Sequence, residues 1–86
     1  MRLREFKAKS MARLVEIKKE LLEKYPDKAE RINYVVDVIA AKLKSLRTFT
    51  LTDYIETLYR ASKEFKELEA LIPSSKEVNE LLKSSE

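Results

Sequence analysis

The sequence predicts an all-α protein: an antiparallel three-helix bundle with a short fourth helix at the C-terminus. Three observations carry this. The 86 residues include no glycine and only two prolines, which suggests helices with tight ends. The apolar residues recur at three- and four-residue intervals over long stretches, the period of a helix with one buried face. The prolines, Pro26 and Pro73, fall where those periodic stretches break, and proline ends helices by removing a donor and clashing with the preceding turn.

The first helix is expected over Leu3–Lys24. Leu3, Phe6, Met11, Leu14, Val15, Ile17, Leu21, Leu22 and Tyr25 share one half of the helical wheel. Charged residues such as Glu5, Lys9, Arg13, Glu16 and Glu20 occupy the other. Lys7 and Lys18 fall within the apolar half, where long stems reach out from its edges. The second helix follows Asp27, with Asp27 and Glu30 spaced as a capping box. Its stripe is Ala29, Ile32, Val35, Val36, Ile39, Ala40, Leu43 and Leu46. A second apolar set, Tyr34, Val38 and Ala41, lies on its far side. That set suits a central helix touched on both sides, or a partner or dimer surface.

The third helix is expected from Leu51 to Ile72, capped by Thr50 with Asp53 and stapled by Phe49 against Tyr54. Leu51, Tyr54, Leu58, Ala61, Phe65, Leu68 and Ile72 step as a three-heptad seam. Ser74 and Glu77 form the capping box of a short fourth helix anchored by Val78, Leu81 and Leu82. Residues 1–83 make one domain, and 84–86 are expected to fray. Short connections make sequential helices antiparallel.

Composition excludes much chemistry. Without glycine there is no phosphate-cradling loop or dinucleotide fingerprint. Without His or Cys there is no zinc finger, haem ligand, iron–sulfur cluster or His-activated nucleophile. A chain this short has little room for a deep pocket. The inventory argues against an enzyme, a cofactor or a small-molecule substrate. No apolar run approaches a membrane span and no signal core opens the chain, so a cytoplasmic protein is expected. Lys and Glu dominate the polar residues while Gln is absent, a pattern enriched in hyperthermophiles.

The net charge of +3 hides an asymmetry. Residues 1–50 are strongly basic and residues 51–86 are acidic. An antiparallel bundle gathers the start of the first helix, the end of the second and the start of the third at one pole. Arg2, Arg4, Lys7, Lys9, Lys42, Lys44 and Arg47 collect there, opposed by Glu5, Asp53 and Glu56. Thr48, Thr50 and Thr52 add hydroxyls beside a helix N-terminus, the usual parts of a phosphate-backbone contact. The alternative is a solvated basic end. The string Thr50–Ile55 resembles the opening of a helix-turn-helix unit, but the unbroken seam to Ile72 argues against one. Six of the seven aromatics, Phe6, Tyr25, Phe49, Tyr54, Phe65 and either Tyr59 or Tyr34, have packing or stapling roles, which argues against a stacking platform.

In size, lack of glycine, Lys/Glu richness and basic segments Arg2–Lys9 and Lys42–Arg47, the chain resembles small helical accessory proteins of hyperthermophilic archaea and of their viruses and plasmids. It is similar in particular to the small subunit of the crenarchaeal family-B DNA polymerase holoenzyme. That resemblance implies a non-catalytic subunit that docks on a replicative DNA polymerase and modestly assists synthesis. Tyr34, Val38 and Ala41 are the expected protein contacts and the basic pole is the expected DNA contact. The runner-up is an autonomous small basic DNA-binding protein, a regulator or chromatin component.

Overall fold

The computed structural model describes residues 2–83. Its helices are α1 (Leu3–Lys24), α2 (Ala29–Lys44), α3 (Leu51–Glu64) and α4 (Ser75–Leu82), with 3-10 segments at Pro26–Lys28, Thr48–Thr50 and Lys66–Leu71. The fold is an all-α bundle, 42 × 20 × 18 Å. Contacts between helices fix its antiparallel topology. The Phe6 and Tyr54 rings meet edge to face at 6.3 Å, so α1 and α3 start at the same end. At the other end Tyr25 packs on Phe65 at 5.9 Å, and Arg31 of α2 reaches Glu64 of α3 at 2.9 Å.

α1 has the expected limits. Leu3, Phe6, Leu14, Ile17 and Leu21 are buried along it, whereas Val15, placed in the apolar half by the wheel, is 63% exposed. Ser10 is buried in the same face. In α2, Ile32, Val35, Val36, Ile39 and Leu43 enter the core, and Leu46 follows them. The Asp27–Glu30 capping box does not form. Pro26–Lys28 instead makes a 3-10 turn in which the Lys28 amide donates to the Tyr25 carbonyl at 3.0 Å. Asp27 therefore lies inside that turn and not at the extended position before the helix from which a side chain caps the N2 and N3 amides.

The third limb departs most from expectation. It is not one helix to Ile72. α3 closes at Phe65, whose backbone is extended (φ −129°, ψ 98°) and whose amide donates to the Ala61 carbonyl at 2.9 Å. The Ser62 hydroxyl also donates back to the Tyr59 carbonyl at 2.8 Å, competing with the helical ladder. Phe65, Leu68 and Leu71 are then all buried. Their three-residue spacing is the period of a 3-10 helix, in which i and i+3 eclipse. Leu71 therefore takes the core position the heptad gave to Ile72, which is only partly buried. At ~1.5 Å per residue for an α-helix and ~2.0 Å for a 3-10 helix, α3 and its extension together run about 33 Å, the length of α1.

Thr50 does not cap α3 through its side chain. Its hydroxyl turns back onto Arg47, accepting from that amide at 2.9 Å and donating to that carbonyl at 3.1 Å. The Phe49–Tyr54 staple is also absent: Tyr54 is spent on Phe6, and Phe49 is 87% exposed. The Ser74–Glu77 capping box does form, with both reciprocal bonds at 3.1–3.2 Å. α4 is anchored by buried Leu81 and partly buried Val78, while Leu82 is exposed. The expected frayed tail, 84–86, lies outside the described residues.

Candidate nucleic-acid interface

The seven basic residues expected at one pole divide into separate groups. Arg4 and Lys7, three residues apart and so on one face of α1, line a groove of about 280 Å³ with Arg47. Its apolar walls are Leu3 and Leu46. Arg47 donates one guanidinium N–H to the Leu46 carbonyl at 3.0 Å, which leaves most of its five donors for a ligand. Lys44 is exposed at the last position of α2, and Arg2 is exposed at the start of α1.

Lys9 and Lys42 do not join them. Lys9 is two residues from Lys7, about 200° further round the helix. It lines a different groove, of about 370 Å³, between α1 and the segment leading into α4, with Arg13, Glu16 and Glu77. Lys42 is held by Asp53 at 2.7 Å. Of the acids expected to oppose the pole, Asp53 thus neutralises Lys42, while Glu56 lies 3.7 Å from Arg60 on its own helix.

Tyr34 and Val38 do come together. They line a groove of about 180 Å³ between α2 and α3 with Ala61, Thr57 and Arg60. Ala41 is exposed on α2 outside that lining. The Arg31 guanidinium lies 5.3 Å from the centre of the Tyr34 ring and makes three hydrogen bonds of 2.9–3.1 Å to the Glu64 carboxylate. That pairing holds the Glu64 carboxyl below the usual range and raises Arg31. Beside it Lys24 binds Glu67 at 2.9 Å, and hydrogen bonding to Lys24 lowers the Glu67 carboxyl.

Two features were missed from the sequence. The exposed aromatics are Phe49, Tyr34 and Tyr59, so the argument that packing uses up the aromatics fails for Phe49 and for the tyrosine, Tyr34 or Tyr59, that it included. The arginines Arg31 and Arg60 frame the α2–α3 groove, and the i, i+3 spacing of Arg31 from Tyr34 signalled the first of them. α3 does end early, yet a six-residue 3-10 segment follows rather than a recognition helix. Among the described residues no three His, Cys, Asp or Glu side chains are grouped to hold a metal, and no helix is long and apolar enough to cross a membrane. Compared with protein-family models, curated proteins and solved structures, the chain matches none.

Proposed function

We propose that this protein is a non-catalytic interaction subunit of a nucleic-acid enzyme, a replicative DNA polymerase by the resemblance above, and that it works in the cytoplasm of a hyperthermophilic archaeon. The observation that carries the reading is the convergence of Arg4, Lys7 and Arg47 on one groove. Three cations around a shallow cleft can follow a phosphate backbone, but they carry no base readout. The Tyr34/Val38 groove, with an aromatic ring under a guanidinium, has the residue types enriched at protein–protein contacts. Interhelical pairs such as Arg31–Glu64 and Lys24–Glu67 suit a heat-stable bundle.

Affinity capture from native extract tests the assignment. The tagged chain should retain a family-B DNA polymerase, Y34D/V38D should lose it, and adding the chain should raise primer extension by the recovered enzyme. Recovery of no replication or repair protein would refute the subunit reading. Tight DNA binding by the isolated chain, with no protein retained, would replace it with an autonomous DNA-binding protein.

A further inference from the structure

Phe49 sits at the middle of the Thr48–Thr50 turn and is 87% exposed. A single exposed apolar residue is ordinary on a protein surface. This one differs in how it is held. The Thr50 amide and hydroxyl both donate to the Arg47 carbonyl, at 3.0 and 3.1 Å, and the Arg47 amide donates to the Thr50 hydroxyl at 2.9 Å. Three hydrogen bonds close one short loop around residues 48 and 49. Leu46 and Leu51, fully buried on either side, pin its ends to the core. The ring is therefore presented on a preorganised turn, and little further ordering is needed when it meets a ligand.

Its position relative to the charges is fixed by the chain. Phe49 lies two residues from Arg47, so their Cα atoms are at most ~7.6 Å apart. Arg47 in turn lines the groove with Arg4 and Lys7. Hydroxyl side chains flank the ring at Thr48 and Thr50. Cations that track a phosphate backbone beside an exposed aromatic ring are the two parts of a single-strand binding surface.

We propose that Phe49 is a stacking residue for an unpaired nucleotide, with the phosphates of the same strand in the Arg4/Lys7/Arg47 groove. This rests on the reading of that groove given above and adds a preference for unpaired over duplex DNA. In a duplex the base faces are already stacked on one another and a ring gains access only by prying them apart. An anionic lipid surface is the weaker match. Interfacial segments present a broad apolar face, and here the flanking residues are threonines and a buried leucine.

The chain contains no tryptophan, so the indole of an F49W variant reports on this position alone. Short oligothymidylate should quench its fluorescence, and matched duplex should do so far less. F49A should bind oligothymidylate about 5- to 150-fold more weakly than the unmodified chain, the equivalent of one lost base stack. Its duplex affinity and its salt slope should be unchanged, because no phosphate contact is removed. Equal losses on single strand and duplex would overturn the proposal in favour of a wedge between base pairs. A blue-shifted, enhanced F49W emission on phosphatidylglycerol vesicles without quenching by oligothymidylate would overturn it in favour of a membrane. If F49A binds as tightly as the unmodified chain while R47E binds weakly, stacking fails and the phosphate groove stands. If no oligonucleotide is bound by any form, both fail together.

Discussion

The salt dependence of DNA binding follows from counting the cations that share the groove. Arg4, Lys7 and Arg47 line it together, whereas Lys9 faces another groove and Lys42 is neutralised by Asp53. Each phosphate neutralised on a duplex contributes about −0.9 to the slope of log K against log salt. Three give a slope of roughly −2.7, or about a 40-fold loss of affinity between ~50 and ~200 mM salt. R47E should flatten the slope by about one unit and cut the loss to roughly 12-fold. The triple reversal R4E/K7E/R47E should bind with almost no salt dependence. K42A should leave the slope unchanged, because Lys42 does not line the groove and is held by Asp53. K66A, at the opposite end of the bundle, should do the same. Fluorescence anisotropy with one labelled duplex across a salt series measures all of these. Equal flattening by K42A, K66A and R47E would mean a diffuse field over the whole surface, and the groove would then have no special part in binding.

The remaining outcomes concern stability. The Tyr54 hydroxyl is buried without a hydrogen-bond partner, so Y54F should raise stability by about 1 kcal/mol near neutral pH in urea unfolding; a loss of that size would refute this. Burial pushes the Tyr54 phenol from 10.0 up to about 12; the Ser10 hydroxyl, close to the phenol but not in hydrogen-bonding geometry with it, acts in the opposite direction. The folded state then holds this proton where the unfolded state has lost it. Stability should fall by about 1.4 kcal/mol per pH unit between those values, and Y54F should lack that component. Glu64 and Glu67 have lowered folded-state values. Their contribution is full above the ordinary glutamate range and is lost as pH falls through the lowered values, so acid unfolding of E64Q/E67Q should show a shallower pH dependence. L81A removes the only fully buried side chain of α4 and should cost about 2–5 kcal/mol, whereas S74A, which loses only an exposed cap, should cost about 1 kcal/mol.

Helix existence and the buried face of α1 and α2 were legible because long, regular apolar periods leave few alternatives. The break at Phe65 was less so. Phe65, Leu68 and Leu71 carry a three-residue spacing in plain view, but Ile72 offers a competing four-residue step, and propensity favours neither. The cap at Thr50 and the staple from Phe49 failed for a shared reason. Both patterns assume an extended residue before the helix, and the 3-10 turn at Thr48–Thr50 replaces it. The basic pole was partly legible. Height along the bundle follows from residue number and short loops, and it correctly placed Arg4, Lys7 and Arg47 at one end. Azimuth does not follow as simply, and it separates Lys9 from Lys7. Whether a lysine is already paired depends on a carboxylate from another helix, which is why Asp53 could be set against the pole as a whole but not assigned to Lys42.

The two ends of the bundle treat charge differently, and the acidic third limb explains why. At the Tyr25 end it delivers Glu64 and Glu67, and each meets a cation from another helix, Arg31 and Lys24. At the Phe6 end it delivers Asp53, which takes Lys42, and Glu56, which pairs with Arg60 of the same helix. Neither acid lines the groove formed by Arg4, Lys7 and Arg47. Like charges gathered on one groove repel one another, which works against the compact state. The same cations become favourable once an anion enters between them. Beside them a phenyl ring is held in water by a turn with three hydrogen bonds. Cations converging on one groove beside a presented ring are the physical case for looking for the ligand at this end of the bundle.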